Sequence, residues 1–167
     1  MSLKQILINF VMRFFNSLFA KKNAVVFCSF NGKQYSCNPK AISEKLHELN
    51  KKIKIIWIVE NKSISLPNYI KKVKKGTIGY LFALSTSKVW VDNCNKPEYL
   101  YKSKKQLYIQ TWHGDCGFKR LAGDEKCGNI PNEKNLKFDI AIAGSDFAIN
   151  YIYKKCFCFN GRFIDNG

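Results

Sequence analysis

The chain has 167 residues, of which 46% are hydrophobic and 24% are charged, and both values are ordinary for a globular protein. This composition excludes general disorder and allows one domain with a hydrophobic core. Lysine and arginine number 28 against 12 aspartate and glutamate residues, which gives a formal net charge of +16. Such a surface attracts polyanions, so nucleic acid, anionic lipid and phosphate-bearing substrates all stay open as partners.

Seven cysteines, an odd number, indicate free thiols in a reducing cytoplasm rather than a disulfide framework. One residue separates Cys156 from Cys158, and ten residues separate Cys116 from Cys127. Neither spacing matches the paired CxxC pattern of a structural zinc site. We therefore predict no metal site, and we expect the cysteines to act as small buried apolar side chains.

Residues 1–22 have a pattern of their own. Apolar residues recur there at helical spacing, namely Leu3, Ile6, Leu7, Phe10, Val11, Phe14 and Leu18, and positive charge comes from Lys4, Arg13, Lys21 and Lys22. Polar residues interrupt the apolar run, so a membrane-spanning helix is not predicted, and no small-residue cleavage site follows. Two interpretations stay open, a basic amphipathic helix on an anionic membrane surface and a helix packed on the domain.

Residues 23–167 alternate between strand and helix patterns, which predicts an α/β, Rossmann-like domain with a parallel sheet and helices on both faces. The predicted strands are Ala24–Cys28, Ile53–Val59, Val89–Asp92, Gln106–Trp112 and Phe138–Ala143. A basic loop through Pro67 follows the second strand, and a helix is predicted near Tyr80–Ser85. Two further helices are predicted to start at Asn38-Pro39 and Ser145, because Asn and Ser cap free amides and Pro suits the first helical position.

Three loops that follow predicted strands are rich in small or polar residues, and they span residues 29–32, 113–117 and 144–146. Because the carboxyl ends of parallel strands meet at one edge, these loops are predicted to form one cleft. Amides in glycine-containing turns and at helix starts suit phosphate oxygens. The candidate substrate-binding residues are Ser29, Asn31, Gly32, Gly114, Asp115, Lys119, Ser145 and Asp146, with Arg120 beside Lys119.

His113 ends an apolar strand-like run, and a histidine at such a place can act as a base near neutral pH. The alternative is that His113 only caps the strand and hydrogen-bonds to a loop. The sequence has no GxGxxG or P-loop fingerprint and no GxSxG elbow, which disfavours a dinucleotide cofactor, a P-loop and a serine hydrolase. We predict no cofactor.

Five segments of the sequence are each weak signals alone, but their occurrence together in this order is specific. They are Phe27–Gly32 with Tyr35–Ile42, Ile56–Val59, Val89–Asn93, Gln110–Gly114 with Phe118–Arg120, and Asp139–Phe147. Together they resemble the CDP-glycerol glycerophosphotransferase family, whose members build teichoic-acid-like polymers at bacterial membranes. The resemblance covers roughly residues 24–167, and its most specific element is the segment that contains His113.

The resemblance implies a two-domain glycosyltransferase-B architecture, of which residues 23–167 match the acceptor-side half. It implies transfer of glycerol phosphate from CDP-glycerol to a hydroxyl of a lipid-linked acceptor, with His113 as the catalytic base and CMP as the leaving group. The nucleotide-binding half, which normally carries a second essential histidine, is expected to be lost by truncation or supplied by a partner chain. One departure from the family pattern is Asp115-Cys116, where many members have a Thr-Pro pair.

These implications lead to two expectations and leave one question open. The chain alone is expected to be inactive, because it lacks one wall of the interdomain cleft. It is expected to lie peripherally on the cytoplasmic face of the bacterial membrane, where an anionic surface meets its basic first segment. The resemblance leaves open which acceptor is used and whether glycerol or ribitol phosphate is transferred.

The competing interpretation is a non-catalytic basic module that binds nucleic acid or anionic lipid. An RNA-binding sheet would carry exposed aromatic residues beside basic ones, as in the RNP signature, and the sequence has no such signature. Only weak, salt-sensitive nucleic-acid binding is expected from the charge. We therefore predict no specific nucleic-acid partner.

Overall fold

The structure is a computed structural model that describes residues 1–19, 22–114 and 136–165. Within these residues seven strands form one parallel sheet in the order β3-β2-β1-β4-β5-β6-β7. The strands are β1 (Lys22–Cys28), β2 (Lys54–Val59), β3 (Ile70–Lys74), β4 (Ser87–Asp92), β5 (Leu107–Gln110), β6 (Ile140–Ala143) and β7 (Arg162–Asp165). The first six strands have the order of a doubly wound Rossmann sheet. The predicted α/β class is confirmed.

Helices cover both faces of the sheet, because successive strand residues point to opposite sides and both sets are apolar. The helices are α1 (Leu3–Leu18), α2 (Cys37–Leu49) and α3 (Ile78–Thr86), with a π-helix at Ala148–Cys156. On the side of α2, Phe27 and Trp57 are fully buried with parallel rings 5.9 Å apart. On the side of α1 and α3, Val26 and Trp90 belong to a larger core cluster.

Two strands were not predicted from the sequence, and the carboxyl end of one predicted strand was wrong. Strand β3 lies at one end of the sheet, and lysines occupy three of its five positions, so the apolar alternation of a strand is absent. Strand β7 has only four residues, one of them Arg162. Strand β5 ends at Gln110 rather than Trp112, because Trp112 has a φ of 51° and leaves the extended conformation.

The two predicted helix caps have different outcomes. Ser145 is confirmed as a capping residue, because its Oγ accepts a hydrogen bond from the Ala148 amide at 3.2 Å. Asn38 does not cap, since α2 already begins at Cys37. Its Nδ2 instead donates to the backbone oxygen of Thr111 at 3.3 Å, which ties the first turn of α2 to the end of β5.

The cysteines are only partly the buried apolar residues that the sequence suggested. Cys28 is 2% exposed, and burial raises the pKa of its thiol to about 12. Cys28 therefore stays protonated and packs as a small apolar group. Cys37 is exposed, so the prediction is wrong for that residue.

Helix α1 packs on the domain through one face. Met12 is completely buried, and the ring of Phe15 lies edge-on against Phe82 of α3 at 5.4 Å. The Nδ2 of Asn16 donates to the backbone oxygen of Ser85 at 3.2 Å. The start of the helix is fixed by a capping box between Ser2 and Gln5. These contacts make α1 part of the α3 side of the domain.

The opposite face of α1 is apolar and exposed. We call this surface the α1 stripe, and it consists of Leu3, Ile6, Leu7, Phe10, Phe14 and Leu18, each more than half exposed. At about 100° per residue these side chains lie on the side of the helix away from Met12. Among the described residues, no helix has the length and hydropathy needed to cross a bilayer.

Candidate active site at the carboxyl edge of the sheet

The order of the strands reverses between β1 and β4, and this reversal marks the place where open α/β sheets bind ligands. The first predicted loop, residues 29–32, follows β1, and Asn93 follows β4. His113 lies just beyond β5, the next strand along. The 144–146 loop follows β6 at the same edge. The parallel sheet thus brings the described parts of all three predicted loops to one edge.

The first loop has an unusual backbone. Phe30, Asn31 and Gly32 are consecutive residues with φ values of 46°, 58° and 93°, all in the left-handed region. A side chain at Gly32 would place its Cβ 2.9 Å from the backbone nitrogen of Glu60, so only glycine fits there. Left-handed backbone at non-glycine residues costs of order 1–3 kcal/mol each and persists only where surrounding contacts hold it.

Asn93 supplies those contacts. Its Oδ1 accepts a hydrogen bond from the Phe30 amide at 2.7 Å, and its Nδ2 donates to the Ser29 hydroxyl at 3.3 Å. Its backbone oxygen lies 2.8 Å from Nδ1 of His113. Asn93 is completely buried, so no water competes for these bonds. One residue therefore joins the loop after β1 to the loop after β5.

The contact with Asn93 also determines how His113 presents its ring. A carbonyl oxygen only accepts hydrogen bonds, so Nδ1 of the imidazole carries the proton and Nε2 of the neutral ring keeps its lone pair. The ring is exposed and lies edge-on to Phe30 at 5.4 Å between centroids. His113 therefore bonds to a neighbouring loop, as the alternative interpretation expected, and its role as a base stays a prediction.

A buried ion pair holds the last residue of β4, Asp92, which immediately precedes Asn93. The side chains of Asp92 and Lys96 are 1% and 6% exposed and contact each other. Burial alone would lower the pKa of Lys96, but the Asp92 carboxylate raises it well above its usual value, so the pair stays charged. The other Asp92 oxygen accepts from the Cys94 amide at 3.0 Å, and the backbone oxygen of Asp92 accepts from the Thr111 amide at 2.9 Å.

A small cleft opens beside this network. It has a volume of about 290 Å³ and is lined by Asn38, Ala41, Ile42, Thr111, Ile142, Ala143 and Gly144. The first turn of α2 forms one wall, and the ends of β5 and β6 form the other. The amides at a helix start carry a partial positive charge, which favours a phosphate or another anion in this cleft.

The predicted substrate-binding residues have different positions at this edge. Asn31, Gly114 and Asp146 are exposed, and Ser145 is half-buried. Ser29 and Gly32 are buried, and the Ser29 hydroxyl accepts the bond from Asn93. Asp115, Lys119 and Arg120 lie outside the described residues, so their predicted contacts stay predictions.

The sequence analysis missed three contributors to the site. Asn93 was named only as the last residue of the segment Val89–Asn93. Yet ligands bind beyond the carboxyl ends of parallel strands, and this applies to a polar residue after β4 as much as to His113. Phe30 was passed over as an apolar residue, yet it supports the imidazole. Lys75 follows β3, which was not predicted, and its Nζ donates to the backbone oxygen of Asn31 at 3.3 Å.

Comparison with known proteins shows the family to which this fold and site belong. Residues 10–167 match the model of the CDP-glycerol:poly(glycerophosphate) glycerophosphotransferase family. The chain belongs to this family. It is 34% identical over 161 residues to a teichoic acid poly(glycerol phosphate) polymerase of Bacillus subtilis (strain 168). It is 40% identical over 95 residues to a teichoic acid glycerol-phosphate transferase of Staphylococcus aureus (strain NCTC 8325 / PS 47).

Solved structures of the wall teichoic acid polymerase TagF, which has a glycosyltransferase-B-type fold, have the same architecture in the matched region. One superposes with a TM-score of 0.81 and 29% identity, and it covers 96% of this chain and 43% of the polymerase chain. A TagF variant soaked with CDPG gives a TM-score of 0.79 over the same shares. The chain also spans only 21% of the Bacillus subtilis relative and 24% of the Staphylococcus aureus relative.

The contact between Asn93 and His113 leads to a prediction about the imidazole. In long-range ¹H–¹⁵N spectra at mildly alkaline pH, neutral His113 is expected to carry its proton on Nδ1. The only other histidine, His47, stacks on Tyr69 at 3.6 Å and serves as an internal reference. Asn93→Ala keeps the backbone oxygen that bonds to His113 but removes the side-chain acceptor of the Phe30 amide, which costs about 1–3 kcal/mol. The ring of Phe30, which lies edge-on to the imidazole, should then move, so the His113 ring resonances should shift while the proton stays on Nδ1.

Asn150→Ala is the matched control, because Asn150 is exposed and its side chain bonds only to Lys154 among the described residues. It should leave the His113 spectrum unchanged. A proton on Nε2 in the unaltered chain would contradict this description of the site. So would an Asn93→Ala spectrum identical to that of the unaltered chain.

Proposed function

We propose that this chain is the acceptor-side half of a transferase that moves glycerol phosphate from CDP-glycerol to a hydroxyl of a membrane-linked polyol-phosphate or glycan acceptor. The observation that carries the proposal is the orientation of His113, which follows β5, the strand next to the strand-order reversal. Its Nδ1 bonds to Asn93, and its Nε2 has no hydrogen-bond partner among residues 1–19, 22–114 and 136–165. Membership of the glycerophosphotransferase family supplies the reaction type.

In the proposed reaction, Nε2 of His113 takes the proton of the acceptor hydroxyl. The oxygen then attacks the β-phosphorus of CDP-glycerol, and the bond from that phosphorus to the bridging oxygen breaks as CMP leaves with the oxygen. General-base assistance of this kind contributes roughly 10²–10⁴ in rate. The remaining barrier is lowered by positioning and by stabilisation of charge on the phosphoryl oxygens.

Two groups on this chain suit that charge stabilisation. The cleft beside the first turn of α2 can hold a phosphate of the acceptor next to β5, the strand that precedes His113. Lys119 is the residue that we propose to contact the transferred phosphate. The contacts to the cytidine nucleotide are assigned to a second half, because the solved relatives have more than half of their chain outside the matched region.

The first prediction from this proposal concerns activity. The purified chain of residues 1–167 should release no CMP from CDP-glycerol, because the contacts to the cytidine nucleotide are assigned to a second half. Joined to a nucleotide-binding half, it should release CMP, and His113→Ala should lower that rate by roughly 10²–10⁴. His113 is exposed, so the substitution should leave the circular dichroism spectrum and the melting temperature unchanged.

His47→Ala is the matched control, since His47 lies on α2 and contacts Tyr69 rather than the candidate site. It should leave CMP release unchanged. Normal turnover by the His113→Ala protein would remove His113 from the mechanism. CMP release by the chain alone would refute the assignment of the nucleotide contacts to a second half.

We also propose that the chain attaches peripherally to the cytoplasmic face of the membrane through the α1 stripe. The stripe presents apolar side chains on the outside of the domain, and Lys4 and Arg13 lie on the same exposed helix. Each basic residue near an anionic surface contributes on the order of 1 kcal/mol, and burial of the phenylalanine rings in the acyl boundary adds to this.

Substitution within the stripe tests the attachment better than removal of residues 1–22, since that removal would also take Met12 and Phe15 from the core. Phe10→Ser with Phe14→Ser should weaken binding to anionic liposomes by about 10- to 100-fold, which corresponds to roughly 1.4–2.8 kcal/mol of lost apolar burial. Co-sedimentation at several salt concentrations measures this loss.

Leu49→Ser is the control, because Leu49 is a large apolar residue that is 73% exposed at the end of α2, away from the stripe. It should bind liposomes as the unaltered chain does. If the double substitution in the stripe leaves binding unchanged, the lysines elsewhere on the surface hold the membrane and the stripe does not.

A further inference from the structure

A second cavity lies on the α3 side of the sheet, away from the candidate active site. We call it the amino-end groove, because it adjoins Lys22, Ala24 and Lys54, which lie at or near the starts of β1 and β2. Its volume is about 440 Å³. The apolar part of the wall consists of Ala24, Ile55, Ile56, Val73, Phe82 and Ala83. This size is within the range of small-molecule sites.

Three lysines border the groove. Lys54 precedes Ile56 by two residues in β2, and Lys71 precedes Val73 by two residues in β3, so both lysines share the face of the sheet that α3 covers. Lys22 joins them from the start of β1, since its ammonium lies 4.4 Å from the ring centroid of Phe82. The groove therefore combines an apolar wall with a rim of positive charge.

The lysines at the rim differ from other lysines in the described part of the chain. Among residues 1–19, 22–114 and 136–165, none of the three lysines forms an ion pair, whereas Lys40, Lys45, Lys96 and Lys102 each contact a carboxylate. Ammonium groups gathered without counter-charge attract an anion. An apolar wall beneath them favours a ligand with a hydrocarbon part.

We propose that the amino-end groove binds one molecule of an anionic phospholipid. The phosphate of the lipid would contact Lys54 and Lys71, and the first part of an acyl chain would lie along Ile56, Val73 and Phe82. A free phosphate would leave the apolar wall exposed to water, and a zwitterionic lipid would bring an additional positive charge to the lysines. Both are therefore poorer ligands for the groove than an anionic lipid.

The groove adjoins helix α1 through Phe82. The ring of Phe82 lies 5.4 Å from Phe15 and 5.1 Å from Phe19, and so it contacts both α1 and the groove. A lipid held in the groove would therefore lie next to the face of α1 that packs on the domain, opposite the α1 stripe. This inference goes beyond the proposed transfer reaction and does not depend on catalysis.

The test is isothermal titration calorimetry of the purified chain with three probes. These are dihexanoyl phosphatidylglycerol as monomers, dihexanoyl phosphatidylcholine with the same chains, and glycerol 3-phosphate as a head group without chains. We expect the phosphatidylglycerol to bind at least about tenfold more tightly than either of the other probes. Because the lipid is monomeric, binding does not require a bilayer, and the Phe10→Ser, Phe14→Ser chain should bind it normally.

Two substitutions locate the site. Lys71→Glu should weaken phosphatidylglycerol binding by about tenfold or more, whereas Lys74→Glu should leave it unchanged. Lys74 is the matched control because it lies in the same strand, undergoes the same change of charge and points to the opposite face. Gly79→Leu adds a side chain to the groove wall without a change of charge, and it should also block binding.

Gly79 tolerates this addition, since a Cβ there would meet only the Thr77 hydroxyl at 3.7 Å and leucine is a better helix former than glycine. A normal melting temperature confirms that each variant is folded. Equal binding of phosphatidylcholine, or equal binding of glycerol 3-phosphate, would overturn the proposal. So would equal losses for Lys71→Glu and Lys74→Glu, or full binding by Gly79→Leu.

Discussion

The buried pair of Asp92 and Lys96 is the interaction on which the carboxyl edge of the sheet depends. It fixes the end of β4, the strand at which the strand order reverses, and Asn93 is the next residue in the chain. Removal of one partner from such a pair costs about 3–5 kcal/mol, because the other charge stays buried and unpaired. The pair and the bond from the Thr111 amide hold Asp92 in place, and Asn93, the next residue, contacts both neighbouring loops.

The loops after β1 and β5 are both held by hydrogen bonds to Asn93, and the first of them has a strained backbone. Phe30 has a left-handed conformation that phenylalanine disfavours, next to Asn31, whose residue type tolerates it, and the bonds from Asn93 hold this loop in place. The same residue orients the imidazole of His113. A candidate base and a candidate substrate loop are therefore positioned by one side chain and one carbonyl, both buried and both dependent on the ion pair.

The sequence predicted the parts of this fold that follow from apolar periodicity. Strands β1, β2, β4 and β6 are continuous apolar runs because both of their faces are buried, and such runs are visible without a structure. Strand β3 was missed because its lysines are tolerated at the end of the sheet, where one face carries the amino-end groove. Its pairing with β2 is decided by tertiary contacts that no local pattern encodes.

The candidate site was predictable to the extent that strand ends determine it. The parallel order of strands places the loops after β1, β5 and β6 at one edge, and His113 was identified on that basis. The role of Asn93 depends on three simultaneous contacts to residues at separations of 20 and more than 60 positions along the chain. Such contacts follow from the packed structure and not from spacing in the sequence.

The two ends of the sheet have different chemistry, and this difference separates the two proposed roles. The carboxyl edge offers hydrogen-bonding loops, a helix start and one oriented imidazole, which suit a phosphate-bearing acceptor. The amino end offers lysines around an apolar wall, next to a helix with an exposed apolar stripe. The proposed membrane attachment and the candidate active site therefore use different regions of the domain.

The central claim is that the carboxyl edge of the sheet receives the acceptor. The most direct measurement is an NMR titration of the ¹⁵N-labelled chain with a short glycerol phosphate oligomer. Amide shifts are predicted to concentrate at Asn31, Gly32, His113 and Gly114 and at the 144–146 loop. Shifts confined to the lysines of the amino-end groove, or no shifts at saturating oligomer, would contradict the account.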